Sequence, residues 1–157
     1  MRLAELMFRG VPGNDLPETT WVTWRAAATR AMDERLGDDL AVFVVDHPEG
    51  GGRLVACGAG VVVPRLPNPH HPQGRAGYVQ WMSTDPAFQR RGHGRAVLRA
   101  VLAWFEERGV DNVELHATAV GELLYRAEGF WHGTGGLPMR RRPWDPPPAA
   151  RRTDREP

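Results

Sequence analysis

Residues 78–109 decide the fold of this chain: Tyr78-Val79-Gln80-Trp81-Met82-Ser83-Thr84, then Asp85-Pro86-Ala87-Phe88, then Gln89-Arg90-Arg91-Gly92-His93-Gly94, then the segment from Arg95 to Gly109. The first run is rich in β-branched and aromatic residues and is closed by Asp85-Pro86, which predicts a strand. From about Arg95 to Arg108 apolar residues recur at helical spacing, which predicts a helix that stops at Gly109.

The glycine-containing loop between the predicted strand and helix is suited to bind phosphate. A helix N-terminus offers amide hydrogens without internal partners and about half a positive charge. Gly92 and Gly94 lack a β-carbon, so a diphosphate can approach the backbone, and Arg90, Arg91 and Arg95 add positive charge. A dinucleotide fingerprint and a P-loop both fail to match the spacing and the residues that follow Gly94. The loop therefore predicts a phosphate-bearing ligand of another class.

The same loop resembles a signature of the GNAT superfamily of acetyl-CoA-dependent N-acetyltransferases. Gln89-x-x-Gly92-x-Gly94 matches its pattern Gln/Arg-x-x-Gly-x-Gly/Ala, and Pro86 stands three residues before Gln89, as in the family. Leu124-Tyr125-Arg126-Ala127-Glu128-Gly129-Phe130 matches the later Leu-Tyr-x-x-x-Gly-Phe element. The resemblance covers roughly residues 40–130 well and the N-terminal part loosely.

The resemblance implies a mixed α/β fold. Its central sheet is mixed and mostly antiparallel, is opened beside the fourth strand and is flanked by helices. Leu40–Asp46 and Arg53–Val63 predict a hairpin that fits the second and third strands. Asn112–Ala117 predicts a parallel strand, and a short helix from about Val120 to Glu128 precedes a last strand or extended segment at Phe130-Trp131.

Two predicted helices precede every predicted strand. Arg2–Arg9 has helical period, and a second helix runs from Pro17 or Glu18 to Leu36. The family begins with a strand, so we expect the first strand to be absent from this chain. Either this sequence starts too late to include that strand, or the sheet lacks its edge strand, and we favour the first. An exposed strand edge invites pairing, so a homodimer is a possible assembly.

By the resemblance, acetyl-CoA is the co-substrate. Its diphosphate is expected on the amides from Arg90 to Ala96, in a cradle that comprises Gln89, Arg90, Arg91, Gly92, His93, Gly94, Arg95 and Ala96. Its pantetheine arm is expected on backbone groups of Met82 and Thr84, where the family also has its oxyanion donor. Tyr125 matches the general acid, and a phenol with a pKa near 10 can protonate a leaving thiolate at neutral pH.

The general base is left open by the sequence. Gln80 and Trp81 stand where many relatives carry a basic side chain. Glu122 is a weak candidate on the helix face of Tyr125. Asp85 has the alternative role of a turn residue, His116 is either a half-buried strand residue or part of a proton path, and a water chain can replace a named base.

Two functions fit these residues. The first is an N-acetyltransferase that transfers the acetyl group of acetyl-CoA to a primary amine of an unidentified small molecule or protein. The second is an acyl-CoA-binding sensor without turnover. No sequence feature identifies the acceptor amine.

The length of 157 residues indicates one domain. By the resemblance, residues 1–139 are the acetyltransferase domain. Residues 140–157 hold six arginines and five prolines, and we expect a disordered tail. The remainder is slightly acidic, which disfavours nucleic acid as a partner. No apolar run is long enough to span a membrane, which indicates a cytoplasmic protein. No metal site is expected, because Cys57 is the sole cysteine and His70-His71 has no acidic cluster nearby.

Overall fold

The computed structural model describes residues 1–11 and 13–133. Two helices come first, followed by three strands, a helix, a short strand and a last helix. In chain order they are α1 (Arg2–Arg9), α2 (Glu18–Arg35), β1 (Leu40–Asp46), β2 (Leu54–Pro64), β3 (Arg75–Thr84), α3 (His93–Glu107), β4 (Val113–Glu114) and α4 (Glu122–Ala127). One turn of 3₁₀ helix, Pro86–Phe88, follows β3.

The strands form one sheet in the order β1-β2-β3-β4. The pairs β1–β2 and β2–β3 are antiparallel, and β3–β4 is parallel. The parallel pairing joins only Gly77 with Val113 and Tyr78 with Glu114. Beyond these two pairs β3 runs on to Thr84 without β4, so among the described residues the sheet is open along the second half of β3.

The two faces of the sheet are covered by different helices. Helix α3 fills one face with Val97, Leu98, Val101 and Phe105, all at most 2% exposed. Gly60 and Gly77 make this close packing possible, because a β-carbon at either position would lie 2.9–3.0 Å from the Phe105 ring. On the other face Met32 of α2 packs against a cluster of Leu40, Ala59 and Val61.

Helices α3 and α4 are each followed by a glycine that ends the helix in the same way. Gly109 has φ +63° and Gly129 has φ +91°. The residue after each glycine donates its amide to a carbonyl five residues back, from Val110 to Phe105 and from Phe130 to Tyr125, each at 3.0 Å. This is the Schellman arrangement. It also brings the side chain of Val110 next to Phe105, and that of Phe130 next to Tyr125.

The N-terminal prediction is confirmed, since residues 2–9 form a helix and no described segment before β1 is a strand. Helix α3 begins two residues earlier than predicted. The predicted strand 112–117 was too long: Leu115, His116 and Ala117 are not paired, because β4 has diverged from β3. No strand begins at Phe130-Trp131 within the described residues. The domain end at residue 139 and the tail from 140 to 157 lie outside the part described.

Candidate active site

A β-bulge interrupts β3 at Trp81 and Met82. On its N-terminal side Gln80 pairs with Ala59, on its C-terminal side Ser83 pairs with Cys57, and the two intervening residues of β3 both face Gly58. Trp81 has φ +57°, a left-handed conformation that a bulky residue rarely adopts. Such a strained residue persists only where surrounding contacts fix it, and strain of this kind clusters at functional sites.

The bulge changes which backbone groups face the opening. Gly77 donates its amide to the Asn112 carbonyl on the β4 side, whereas Asp85 donates to the Val55 carbonyl on the β2 side. In a regular strand the amides of two odd-numbered residues would point to the same neighbouring strand. The extra residue in the bulge has therefore shifted the alternation of amide directions by one residue. After the bulge the even-numbered residues, Met82 and Thr84, therefore face the open edge.

The opening is not equally free at both residues. The Gln89 side-chain amide donates to the Thr84 carbonyl at 3.2 Å. Gln89 makes no hydrogen bond to the Met82 backbone. Gln89, placed by the sequence in the phosphate cradle, thus ties the loop back to the end of β3.

The loop before α3 presents a row of unpartnered amides. Within the described residues none of the amides from Arg90 to Arg95 donates a hydrogen bond, and no side chain caps α3. Left-handed backbone at Arg90 (φ +62°) and Gly92 (φ +85°) turns successive amides, as in anion-binding nests. Ala96 differs, since its amide donates to the Gly92 carbonyl at 3.0 Å. The available cradle therefore ends one residue earlier than the sequence predicts.

Gly94 lies where this cradle approaches both β3 and α4. A β-carbon there would be 3.4 Å from Thr84 Oγ1 and 3.6 Å from Leu124 Cδ2, which is ordinary contact. At Gly92 a β-carbon would meet nothing within 4 Å, but the positive φ disfavours any other residue. The amides and the space at Gly94 fit the diphosphate of CoA.

The arginines near the cradle are not equivalent. Arg95 bonds Glu128 at 3.0 Å and Arg99 bonds the same carboxylate at 2.8 Å, which links α3 to α4. The Arg99 guanidinium holds the pKa of Glu128 below its usual range. Arg91 lies 5.2 Å from the centre of the Phe88 ring. Arg95 is therefore occupied in holding the helices together, whereas Arg90 and Arg91 remain on the loop itself.

Tyr125 is half-buried on α4 and packs against the α3 core. Its ring stands at 72° to that of Phe130, with centroids 5.9 Å apart. Burial raises the pKa of the Tyr125 phenol. The Leu-Tyr-x-x-x-Gly-Phe element is thus a helix end in which the Schellman turn at Gly129 packs Phe130 on Tyr125 and orients the phenol.

Two carboxylates considered as bases are both engaged. Glu122 bonds Arg126 at 2.7 Å and His132 at 3.1 Å, and Arg126 lowers the pKa of Glu122. Asp85 bonds Arg2 at 2.9 Å and accepts the Ala87 amide, and Arg2 lowers the pKa of Asp85. A carboxylate held ionised accepts protons poorly, so neither residue is suited to be the base. Asp85 has the geometry of a turn residue.

Sequence reasoning missed Tyr78. Its hydroxyl is hydrogen-bonded to His116 Nδ1, at the point where β3 and β4 separate. Tyr78 pairs with Val61, whose side chain belongs to the cluster beneath α2, so the phenol lies on the face opposite α3. Tyr78 and His116 come together because Gly77 pairs with Val113. The sequence signal that could have found them is that both lie at alternate positions of two neighbouring predicted strands, so their side chains can share one face of the sheet.

A groove of about 950 Å³ runs between β4 and α4, and both Tyr125 and His116 line it.

Cys57 lies near the bulge and donates its thiol to the Trp81 carbonyl at 3.4 Å. Burial raises the pKa of Cys57 to about 11, so the thiol is neutral at physiological pH. Among the described residues no group of three potential metal ligands occurs, and no helix is both long and apolar enough to cross a membrane.

An unpartnered amide row at a helix start, beside a sheet opened at a bulge, fits a transferase whose donor carries a phosphate group. The model of the acetyltransferase (GNAT) family matches residues 11–132, and the chain belongs to this family. It is an acyltransferase enzyme.

Solved structures show the same fold. A GCN5-related N-acetyltransferase from Ralstonia eutropha JMP134 is 29% identical, with 89% of this chain and 88% of that chain covered and a TM-score of 0.73. A predicted acetyltransferase from Clostridium acetobutylicum, described with acetyl-CoA, is 19% identical (87% and 82% covered, TM-score 0.67). Glucosamine-6-phosphate N-acetyltransferase from Arabidopsis thaliana is 17% identical (92% and 88% covered, TM-score 0.62). A search of curated proteins gave no match.

Proposed function

We propose that this protein transfers the acetyl group of acetyl-CoA to a primary amine of a small molecule or a protein, in the cytoplasm. The observation that carries the proposal is the row of free amides from Arg90 to Arg95, set beside the open edge of β3. The first provides a site for the diphosphate, and the second provides backbone partners for the pantetheine arm.

The reaction is an acyl transfer in which the amine nitrogen attacks the thioester carbonyl. A C–N bond forms, the C–S bond breaks, and the amine loses one proton while the departing thiolate gains one. The Met82 amide, turned to the open edge by the bulge, is the proposed donor to the oxygen that becomes negative. Tyr125 is the proposed donor to the thiolate, since its raised pKa keeps the phenol protonated at neutral pH.

The amine proton is assigned to Tyr78 and His116. Tyr78 lies on the sheet face opposite α3 and is only partly buried, so its oxygen can receive the amine proton as its own proton passes to His116 Nδ1. His116 is exposed and can release the proton to water. This pair supplies a proton path in a protein whose Glu122 and Asp85 are both held by cations.

The first test is Gly94→Ala. The added methyl group fits the free protein at ordinary contact distances but occupies the space beside the amides. We expect the affinity for acetyl-CoA, measured by calorimetry, to fall by about tenfold or more while the melting temperature is kept. The matched control is Gly10→Ala, which also gains a methyl group at ordinary contact distance, at the end of α1. Equal affinity in both variants would place the diphosphate elsewhere.

Catalysis is tested separately from binding. Release of free CoA is followed with a thiol reagent over a panel of primary amines, with acetyl-CoA alone as the blank. The proposal predicts amine-dependent release and a mass increase of the amine by one acetyl group. Tight binding of acetyl-CoA without release for any amine would favour the sensor function instead.

A further inference from the structure

We propose that Glu128 is a positioning residue for the acetyl transfer: its carboxylate fixes α4, which carries Tyr125, against the helix whose start forms the diphosphate site. This inference rests on the proposed function and assigns to the same site a residue that touches none of the reacting groups.

Helix α4 is too short to hold its own position. It spans six residues, Glu122–Ala127, and none of them is buried. A helix of this length is marginal in water and takes its stability from tertiary contacts. Leu124 and Tyr125 pack against the α3 core, but both are only half-buried. The orientation of the Tyr125 phenol therefore depends on the contacts that hold α4 to α3.

Glu128, the C-cap residue of α4, makes a polar contact with α3. Arg99 donates two hydrogen bonds to its carboxylate, at 2.8 Å to Oε2 and at 3.2 Å to Oε1. Arg95 Nε lies 3.0 Å from Oε1, and the Glu128 side chain is only 9% exposed. A two-point contact between a guanidinium and a carboxylate fixes direction as well as distance. We call this contact of Glu128 with the two arginines the clamp.

The clamp also reaches the phosphate cradle. Arg95 contributes its amide to the unpartnered row and its guanidinium to Glu128. Four residues before Glu128, about one helical turn away, Leu124 lies beside Gly94, where a β-carbon would be 3.6 Å from Leu124 Cδ2. Tyr125 lies between these two contact residues in the chain. Since both contacts involve residues of the cradle, they hold the phenol at a fixed distance from the diphosphate site.

The clamp is closed at neutral pH. The Arg99 guanidinium lowers the pKa of Glu128, so the carboxylate is ionised there. Glu122, at the other end of α4, makes no such link to α3, because it bonds Arg126 of its own helix and His132. Among the described residues, Glu128 is thus the carboxylate that joins α4 to α3.

The kinetic test is a double-mutant cycle. Glu128→Gln should lower kcat by about 10–100-fold at saturating acetyl-CoA, since a displacement of about 1 Å at a reacting group costs up to about 10²-fold. In a Tyr125→Phe background the same change should cost less than about twofold, because the group that Glu128 positions is gone. Glu107→Gln, which also removes one carboxylate, is exposed on α3 and should keep the parental rate as the matched control. Equal losses in the parent and in Tyr125→Phe would overturn the inference.

A titration makes the test independent of turnover. The protein has two tyrosines, so in Tyr78→Phe the ultraviolet absorbance of tyrosinate reports Tyr125 alone. Loss of the clamp exposes the phenol, so Glu128→Gln and Arg99→Gln should both lower the pKa of Tyr125 toward the ordinary value of a phenol. A purely electrostatic effect has opposite signs, because one change removes a negative charge and the other a positive one. Shifts of opposite sign, or no shift, would contradict a positioning role.

This inference and the proposed function fail separately. If the protein acetylates an amine and Glu128→Gln keeps the parental kcat, only the role of Glu128 is wrong. If the parent protein does not bind acetyl-CoA, the proposed function itself fails.

Discussion

At the scale of single residues, Tyr125 gives the sharpest test of the mechanism. Tyr125→Phe keeps the ring against Phe130 and the α3 core and removes only the hydroxyl. Loss of a general acid costs about 10²–10⁴ in rate, so kcat should fall by that factor while acetyl-CoA affinity stays constant. The measurement is kcat at saturating acetyl-CoA, with chemistry shown to limit the rate.

The pH dependence of the parent has a defined sign. Burial raises the pKa of Tyr125, so the phenol is protonated throughout the neutral range and its contribution is lost only at alkaline pH, above the ordinary pKa of a phenol. Tyr125→Phe should lack that alkaline loss. A rate within about threefold of the parent would exclude Tyr125 from the mechanism.

Tyr78 and His116 should act as a unit. Tyr78→Phe and His116→Ala each break the same hydrogen bond, so we expect similar losses of about 10–100-fold in kcat. The double variant should be little worse than either single one, since residues of one relay are not additive. His70→Ala, in an exposed loop, is the control. Two independent, multiplying losses would show that the pair does not form one proton path.

The difference between these tyrosines shows what sequence can provide. Tyr125 is predictable because its motif is local: Gly129 and Phe130 follow it within one helix end. Tyr78 and His116 are 38 residues apart, and their contact depends on a strand register that residue types do not specify. The occupation of Glu122 by His132 and of Asp85 by Arg2 is equally a product of tertiary structure.

At the scale of elements, the bulge on β3 is the feature that sequence could not predict. Nothing in Trp81 itself favours a positive φ, and the conformation follows from packing. Gly58 stands opposite, where a β-carbon would lie 2.3 Å from Met82 Sδ and 2.7 Å from Val97 Cγ1. In contrast, the ends of α3 and α4 follow from Gly109 and Gly129, since only a residue that tolerates left-handed backbone completes the turn.

Gly58→Ala should therefore act on stability and catalysis together. Overpacking costs about 1–3 kcal/mol, measured by urea denaturation, and displacement of Met82 should lower kcat beyond the change in acetyl-CoA affinity. Met82→Ala in the same chain removes one of the two clashes and should restore part of the stability. A Gly58→Ala protein with parental stability and kcat would mean that the bulge does not depend on this packing.

At the scale of the whole molecule, the opening between β3 and β4 is the part of the fold that the family resemblance predicts and hydrophobic pattern does not. The pattern of residues 112–117 is that of an ordinary strand, but only two residues pair. In the part of the chain that the structure describes, the β3 backbone from Val79 to Thr84 is consequently without a strand on one side. A ligand that bonds there completes the sheet and joins β3 to α3, so its binding should stabilise the entire domain.

We therefore predict a large thermal shift with acetyl-CoA. Ligand at about 100 times its Kd stabilises the folded state by about 2.7 kcal/mol, and for a chain of this size each kcal/mol raises Tm by about 2–4 °C. The expected rise is roughly 5–10 °C, measured by calorimetric scanning at fixed ligand concentration. Acetylpantetheine, which carries the thioester arm without the diphosphate, should give a much smaller rise, because it leaves the amides from Arg90 to Arg95 unpartnered. In Gly94→Ala the two ligands should become alike, since the site for the diphosphate is blocked while the open edge of β3 is retained. A full shift with acetylpantetheine in the parent protein would show that the arm alone accounts for binding and that the glycine loop does not hold phosphate.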